Sequence, residues 1–318
     1  MDRRTLLASG TAIALTASLP APLAAANARK AVVLSTDCGA DIDDQWVLAH
    51  LALSPELSLL GVVGSHASSL GLTSADAAAN ARDVLRRMPP SARNAHPTIV
   101  AGSARPLPEA GPPQPTAGSD LLLRLSRGFD RSRRLIVLVI GAATDVATAL
   151  ALDPKLADRI EVVAMAFLDW PAGGDVFNVK NDPAAWRVLL ASDVPLTVGS
   201  SALTQRTLRL SGDDADRLLR PHGPIGEYLA TMYREWLERQ AALAASVVGP
   251  GQWVVWDEVV VAHLLGLTRG ERLPRPGLGA DLRFQPAATD RTLTWLREID
   301  SAALWRDLTR KLDRSQGR

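Results

Sequence analysis

The chain has 318 residues, of which 47% are hydrophobic, so it can bury the core of one sizeable domain. Its 35 basic and 34 acidic residues give a formal net charge of +1, and no long Lys/Arg tract stands out. This balance argues against a phosphate-tracking surface, and we expect no nucleic-acid partner. Cys38 is the single cysteine, so no intramolecular disulfide can form, and its acidic neighbours predict a buried residue rather than a reactive thiolate.

Residues 1–28 have the order of an export signal. Arg3 and Arg4 precede an apolar run at 8–19, and Ala26-Asn27-Ala28 forms a cleavage site of the A-x-A type. The paired arginines indicate the twin-arginine route. Because the apolar run is short for a bilayer span, we expect an exported protein, periplasmic or secreted, with no membrane segment in the mature chain.

Strand and helix patterns alternate along residues 31–198. Short apolar runs bounded by turn residues predict buried strands, and longer periodic patterns predict helices. In chain order, strands are predicted at 31–34, 57–63, 98–101, 135–140, 160–167 and 195–198, and helices at 43–53, 74–87, 144–152 and 183–191. This alternation predicts one α/β domain over residues 31–314, with a doubly wound, mostly parallel sheet and a Rossmann-like core.

Two regions depart from the alternation. The Pro/Gly-rich segment 106–118 is long for a connection, which makes it either a surface loop or part of an active-site rim. The pattern of the last third predicts additional helices. One is long, with apolar residues at helical spacing from Ile225 to Leu243, and others lie near 257–265 and 301–312.

An acidic segment follows the first predicted strand, with Asp37, Asp41, Asp43 and Asp44 inside eight residues. Carboxylates this close repel one another unless a hard cation such as Ca²⁺ neutralises them. A helix N-terminus explains Asp43 and Asp44 but not the other two. Ligands of doubly wound sheets bind beyond the carboxyl ends of the strands, so the segment predicts a metal site there. We interpret Asp41 as an outer support of that site or as a solvated side chain.

A phosphatase with an aspartyl nucleophile also places aspartates after a first strand. Its D-x-D-x-[TV] motif must lie at the strand end, whereas the segment Asp41 to Gln45 lacks the final Thr or Val and lies farther along the chain. The sequence therefore disfavours a phosphatase with an aspartyl nucleophile.

Five segments in order resemble the landmarks of the inosine-uridine nucleoside hydrolase family. They are the acidic motif at 36–44, the small-residue turn ending in Pro-Leu at 101–107, the segment 141–150, the Phe-Asn and Asp-Pro-Ala-Ala pair within 177–185, and the Trp-Asp segment at 256–262. The resemblance implies a nucleoside hydrolase-like fold and hydrolysis of the N-glycosidic bond of a ribonucleoside or related riboside.

The family resemblance also implies a set of site residues. A Ca²⁺ ion would be held by Asp37, Asp44, the backbone carbonyl of Thr144, and Asp257, and Asp37 would take a proton from a metal-bound water that attacks C1′ of the ribose. Substrate contacts are expected from Asp43, Asn178, Asp257, Trp256, Ser65 and His66. The resemblance further implies a homo-dimer or homo-tetramer.

The departures from the family pattern concern the substrate. Trp256 stands where several members have a histidine that assists the leaving base, and Val176 stands where they have a glutamate. We interpret this pattern as a site that keeps the residues for the metal and for the ribose 2′- and 3′-hydroxyls but has different residues around the base and the 5′ end. The substrate would then be a riboside other than plain inosine or uridine. A non-catalytic exported protein that binds ribose or nucleosides through the same Ca²⁺ site is the alternative.

Overall fold

The computed structural model describes residues 29–90, 96–109, 111–174, 176–287 and 289–317. The export segment expected at 1–28 lies outside the described residues. Within these ranges, no helix combines the length and the apolar character that a membrane crossing requires.

The strands and helices have the following bounds. The strands are β1 (Lys30–Thr36), β2 (Leu57–Gly64), β3 (Thr98–Ala101), β4 (Leu135–Val139), β5 (Ile160–Met165), β6 (Leu196–Gly199), β7 (Arg209–Ser211), β8 (Gln252–Val254), β9 (Thr268–Pro274), β10 (Gly277–Leu278), β11 (Phe284–Gln285) and β12 (Thr292–Ile299). The helices are α1 (Asp43–Leu53), α2 (Ser74–Arg87), α3 (Ala117–Leu125), α4 (Thr144–Leu152), α5 (Phe177–Lys180), α6 (Pro183–Ala191), α7 (Ser201–Thr207), α8 (Gly212–Leu219), α9 (Gly223–Arg239), α10 (Ala241–Val247), α11 (Glu258–Leu264) and α12 (Ser301–Ser315).

One sheet organises the described part of the chain, with eight strands in the order β3-β2-β1-β4-β5-β6-β12-β9. Neighbouring strands run parallel except for β9, which pairs antiparallel with β12 at the edge. The order reverses direction between β1 and β4, so the connections wind away from each other and leave a crevice at the carboxyl ends of these two strands. The predicted doubly wound α/β domain is confirmed.

Both faces of the sheet are covered, which explains why its central strands are apolar without alternation. On β1, Val32 and Leu34 pack into a core with α1, α9 and α11. Val33, between them, packs into the opposite core with residues of α4 and α6. Every residue of α1 is buried, so this helix lies inside the protein rather than on its surface.

The six predicted strands and four predicted helices of the first two-thirds are present, with strand ends shifted by one or two residues. The prediction for the last third was incomplete, because β9 and β12 extend the sheet there. β9 is exposed at most positions and carries charged side chains, so its sequence has no apolar run to reveal it. The long predicted helix is two helices, α9 and α10, separated at Gln240.

Candidate active site

Acidic side chains from distant parts of the sequence meet at the crevice between β1 and β4. Asp37 directly follows β1, Asp43 and Asp44 begin α1, and Asp257 directly precedes α11. All four carboxylates line one cavity of about 550 Å³. The fold therefore brings the predicted acidic residues together, including one that lies more than 200 positions away along the chain.

Three of these carboxylates form a tight group. One oxygen each from Asp43, Asp44 and Asp257 lies within 4.8 Å of the others, and the three residues are 1–4% exposed. The Thr36 hydroxyl donates a hydrogen bond to Asp44, and the Asp257 backbone N–H donates to Oδ2 of Asp43 at 3.0 Å. The N-termini of α1 and α11 point their positive dipole ends toward the group, which favours negative charge there.

Asp37 lies beside this group with an unsatisfied oxygen. It is 3% exposed, and its Oδ2 has no hydrogen-bond partner among the described residues. A buried carboxylate oxygen without a partner is costly unless a cation, a water or a substrate contacts it. Asp37 thus offers a free acceptor in the cavity.

Burial raises the pKa of each carboxyl in the site. The pKa values of Asp37, Asp44 and Asp257 lie well above the ordinary range because burial disfavours the charged form, and repulsion from neighbouring aspartates adds to this. Burial likewise raises the pKa of Asp43, to about 6. A bound divalent cation would reverse these shifts, and a set of buried oxygen donors suits a hard cation such as Ca²⁺.

Asn178, on the short helix α5, also lines the cavity. Its Nδ2 donates to the backbone carbonyls of Ile140 and Met165, both at 3.1 Å. Because these two bonds use both amide hydrogens, Oδ1 is the atom left for a ligand in the cavity that Asn178 lines. Asn178 can therefore accept a hydrogen bond from a hydroxyl group but cannot donate one.

Tryptophan side chains form another wall of the cavity. Trp236, Trp253 and Trp256 line it, with ring centroids 4.4 Å apart for Trp236 and Trp253 and 5.8 Å apart for Trp253 and Trp256. Trp253 donates from Nε1 to Asp41 at 2.7 Å, so the partly buried Asp41 fixes this wall. Trp253 was not among the predicted site residues, because nothing in its local sequence pattern distinguishes a cavity wall from a core position.

Three further predicted site residues, Thr144, Ser65 and His66, are not among the described residues that line the cavity. The Thr144 hydroxyl donates to Asp182 at 2.6 Å, and His66 Nε2 lies 3.1 Å from the same hydroxyl. Burial lowers the pKa of His66. These contacts hold the loops after β2 and β4 together.

Two other predictions from the sequence concern the segment 106–118 and Cys38. No described residue of 106–118 lines the cavity; the Leu107 backbone N–H instead donates to Asp182 at 2.8 Å. Residues 106–109 and 111–116 are mostly exposed and form a surface loop, and α3 begins at Ala117. Cys38 is fully buried, and burial raises the pKa of its thiol, which confirms its predicted packing role.

Gly141 permits the close approach of β4 to the Asp37 loop. A Cβ at this position would lie 2.3 Å from Ser65 Oγ and 2.8 Å from both the backbone nitrogen and Oδ1 of Asp37. Asp37 is the catalytic residue that the sequence predicts, so we expect Gly141→Ala to displace it and lower kcat/KM at least about 100-fold, since a shift of about 1 Å in a catalytic group has effects of this size. Steady-state kinetics would measure it.

Gly128→Ala is the matched control, because a Cβ there meets nothing within 4 Å. It should retain wild-type kinetics. Wild-type kcat/KM in Gly141→Ala would show that the close approach is unimportant for the site.

The fold and the site define an α/β protein with a small-molecule cavity at its topological switch point and a buried, metal-compatible carboxylate group at the base of that cavity. A family model described as inosine-uridine preferring nucleoside hydrolase matches residues 32–275. The chain belongs to this family and is an N-glycosyl hydrolase.

Individual relatives are distant. The chain is 26% identical to the pyrimidine-specific ribonucleoside hydrolase RihA of Enterobacter sp. (strain 638) over 233 residues, which cover 67% of this chain and 73% of that protein. It is 25% identical to the pyrimidine-specific RihB of Shigella flexneri serotype 5b over 135 residues, and this match spans 41% of the chain and only 42% of that relative.

Solved structures confirm the fold. A plant nucleoside hydrolase superposes with a TM-score of 0.71 at 17% identity, covering 90% of this chain and 99% of that chain. A purine-preferring ribonucleoside hydrolase from Gardnerella vaginalis gives a TM-score of 0.69 at 17% identity, with the same coverage. The names of these proteins refer to both pyrimidine and purine substrates, so they do not define the base for this chain.

Proposed function

We propose that this protein is a Ca²⁺-dependent hydrolase of a ribonucleoside or related riboside, with Asp37 as the general base. The observation that carries the proposal is the buried Oδ2 of Asp37, which has no partner in the described residues and lies in the same cavity as Asp44 and Asp257. A carboxylate oxygen of this kind is available to a water or to a cation.

The proposed metal ligands are Asp37, Asp44, Asp257 and the backbone carbonyl of Thr144. The grouping of Asp43 with Asp44 and Asp257 supports Asp43 as a further candidate ligand. Oxygen donors from separate segments are the type of ligand that Ca²⁺ uses, with six to eight around the ion. When bound, the cation supplies Lewis acidity that favours loss of a proton from a neighbouring water.

In the proposed reaction, Asp37 accepts the proton of the attacking water and thereby assists its addition to the anomeric carbon. Asp43 and Asn178 bind the ribose. The Oδ1 of Asn178 accepts from a ribose hydroxyl, because its Nδ2 is occupied by backbone carbonyls. These contacts hold the sugar so that the water and the glycosidic bond are aligned.

The leaving base lies against Trp256 in this proposal. An indole cannot transfer a proton as an imidazole does, but its face stacks well on a heteroaromatic ring. Trp256 therefore contributes binding, and the base leaves without acid catalysis from this position. We further propose that the protein is exported, acts on a riboside other than plain inosine or uridine, and forms a homo-dimer or homo-tetramer.

A ribonucleoside panel tests the proposal. The purified protein is incubated with inosine, uridine, adenosine, cytidine and guanosine, and released ribose is measured as reducing sugar. We expect turnover of at least one riboside, a loss of at least about 100-fold with a chelator that prefers calcium, and recovery on addition of CaCl₂.

Turnover unaffected by the chelator would contradict the metal requirement. Calcium-dependent binding of a riboside without any product would contradict the hydrolase and support the non-catalytic binding protein instead. Turnover of inosine or of uridine faster than that of every other riboside in the panel would contradict the altered substrate preference.

A further inference from the structure

Exposed apolar side chains are concentrated at the mouth of the cavity. Five large hydrophobic residues are well exposed in the described part of the chain, and four of them line this cavity. These four form what we term the apolar collar, and they are Leu70, Leu168, Leu243 and Val247, with 59%, 49%, 45% and 45% of their surface exposed. Clustered exposed apolar surface marks a binding site, whereas isolated residues of this kind do not.

Three separate segments build the collar. Leu70 ends a single 3₁₀ turn at Ser68–Leu70 after β2, and Leu168 follows β5. Leu243 and Val247 lie one turn apart on the same face of α10. Since the collar surrounds a cavity opening and is not one flat helix face, its shape fits a group that enters the cavity.

The tryptophan wall connects the collar to the carboxylates. Trp236 lies on α9, which is followed directly by α10 with its two collar residues. The Nε1 of Trp253 is occupied by Asp41, so this residue presents its ring to the cavity. The Nε2 of Gln205, which also lines the cavity, donates to the carbonyl of Val247 at 3.1 Å.

The volume of the cavity leaves room for a ligand of drug-like size. Its volume, about 550 Å³, lies within the range of about 300–1,000 Å³ that is typical of pockets for drug-sized ligands. The four collar residues are distinct from the carboxylates and tryptophans that hold the ribose and the base in the proposed function, and all four are exposed. Covering these four side chains would remove their apolar surface from water and favour binding.

We propose that the substrate is a riboside whose base carries a bulky apolar substituent, and that the apolar collar binds this substituent. The inference rests on the proposed function, which places the ribose at Asp43 and Asn178. The base rather than C5′ carries the substituent, because the aromatic wall that suits a base is continuous with Leu243 and Val247 through consecutive helices.

Matched pairs of ribosides test the collar. We compare adenosine with N6-cyclohexyladenosine and cytidine with N4-cyclohexylcytidine, because a saturated ring adds apolar area without adding an aromatic stacking surface. In at least one pair, the cyclohexyl compound should have a kcat/KM at least about 10-fold higher than its parent. Leu243→Gln should lower that ratio at least about 3-fold.

Leu152→Gln provides the matched control, since Leu152 is the fifth exposed hydrophobic residue, 38% exposed on α4, and does not line the cavity. It should leave the ratio unchanged. Equal or slower turnover of both cyclohexyl compounds would overturn the inference, while turnover of the parent ribosides would leave the proposed function intact.

Three further measurements cover the remaining outcomes. If no riboside is hydrolysed, the same pairs are compared by calorimetric binding in CaCl₂: 10-fold tighter binding of a cyclohexyl compound supports the collar, and equal binding overturns it. A gain seen only with 5′-cyclohexylthio-5′-deoxyadenosine overturns the assignment to the base. Self-association that Leu243→Gln abolishes, measured by light scattering, would identify a second copy of the chain as the occupant and also overturn the inference.

Discussion

Asp37→Asn is expected to lower kcat/KM by at least about 100-fold while the protein remains folded. General-base catalysis contributes about 10²–10⁴ in rate, and an amide oxygen cannot accept the proton that the carboxylate accepts. The change is nearly isosteric, and Oδ2 of Asp37 makes no hydrogen bond to the described residues, so little structural stabilisation is lost. Steady-state kinetics on the preferred riboside measure the effect.

Asp120→Asn is a suitable control, because it makes the same chemical change on the exposed surface of α3. It should behave as wild type. Calcium affinity, measured by calorimetry, separates the two roles proposed for Asp37: weaker calcium binding indicates a ligand, and a lower rate at saturating calcium indicates the base. Wild-type kinetics in Asp37→Asn would contradict both roles.

His50→Ala is expected to lower the free energy of unfolding by about 3–5 kcal/mol, which is the usual cost of breaking a buried ion pair. His50 on α1 is fully buried; its Nδ1 lies 2.9 Å from Glu258 on α11, and its Nε2 lies 3.1 Å from Asp307 on α12. The variant would leave Glu258 buried without this partner. Because α1 and α11 begin beside the carboxylate group, affinity for the proposed calcium ion should fall as well.

The pH dependence of this loss has a defined sign. Burial opposes protonation of His50, but Glu258 and the hydrogen bonds outweigh it, so the pKa of His50 is raised. Burial also opposes ionisation of Asp307, but its bonds to His50 and Lys311 lower its pKa below the ordinary range. The His50 contribution is fully present below its ordinary pKa of about 6.5 and is lost as pH rises through the higher folded value, whereas that of Asp307 is lost as pH falls below about 3.9.

The stability difference between wild type and His50→Ala should therefore be largest between about pH 4 and 6.5 and smaller at alkaline pH. Urea unfolding at pH 5.5 and pH 9 measures it. His263→Ala is the control, since the one side-chain hydrogen bond of His263 among the described residues is to the neutral hydroxyl of Thr268, at 2.9 Å, and its loss should cost about 1 kcal/mol. A difference independent of pH would contradict a charged His50.

Local sequence patterns were sufficient to predict the central strands of the fold. The apolar runs at β1, β2, β4 and β5 have no alternation, because helices cover both faces of the sheet, and this pattern is visible in the sequence. The edge strand β9 gave no such pattern, since most of its residues face solvent. Its neighbour β12 mixes buried and exposed positions and was missed with it.

The features of the site likewise divide into those that the sequence predicted and those that only the structure revealed. The sequence by itself determined a crowded acidic segment after a buried strand, and charge repulsion made that segment a candidate metal site before any contact was known. Only the tertiary structure decided that Asp43 groups with Asp44 and Asp257, that Asn178 keeps only its oxygen for a ligand, and that Ser65 and His66 are not among the described residues that line the cavity. Local charge is a property of neighbouring residues in the chain, whereas the walls of a cavity depend on which distant segments pack together. For that reason the apolar collar, built from three such segments, could not be found in the sequence.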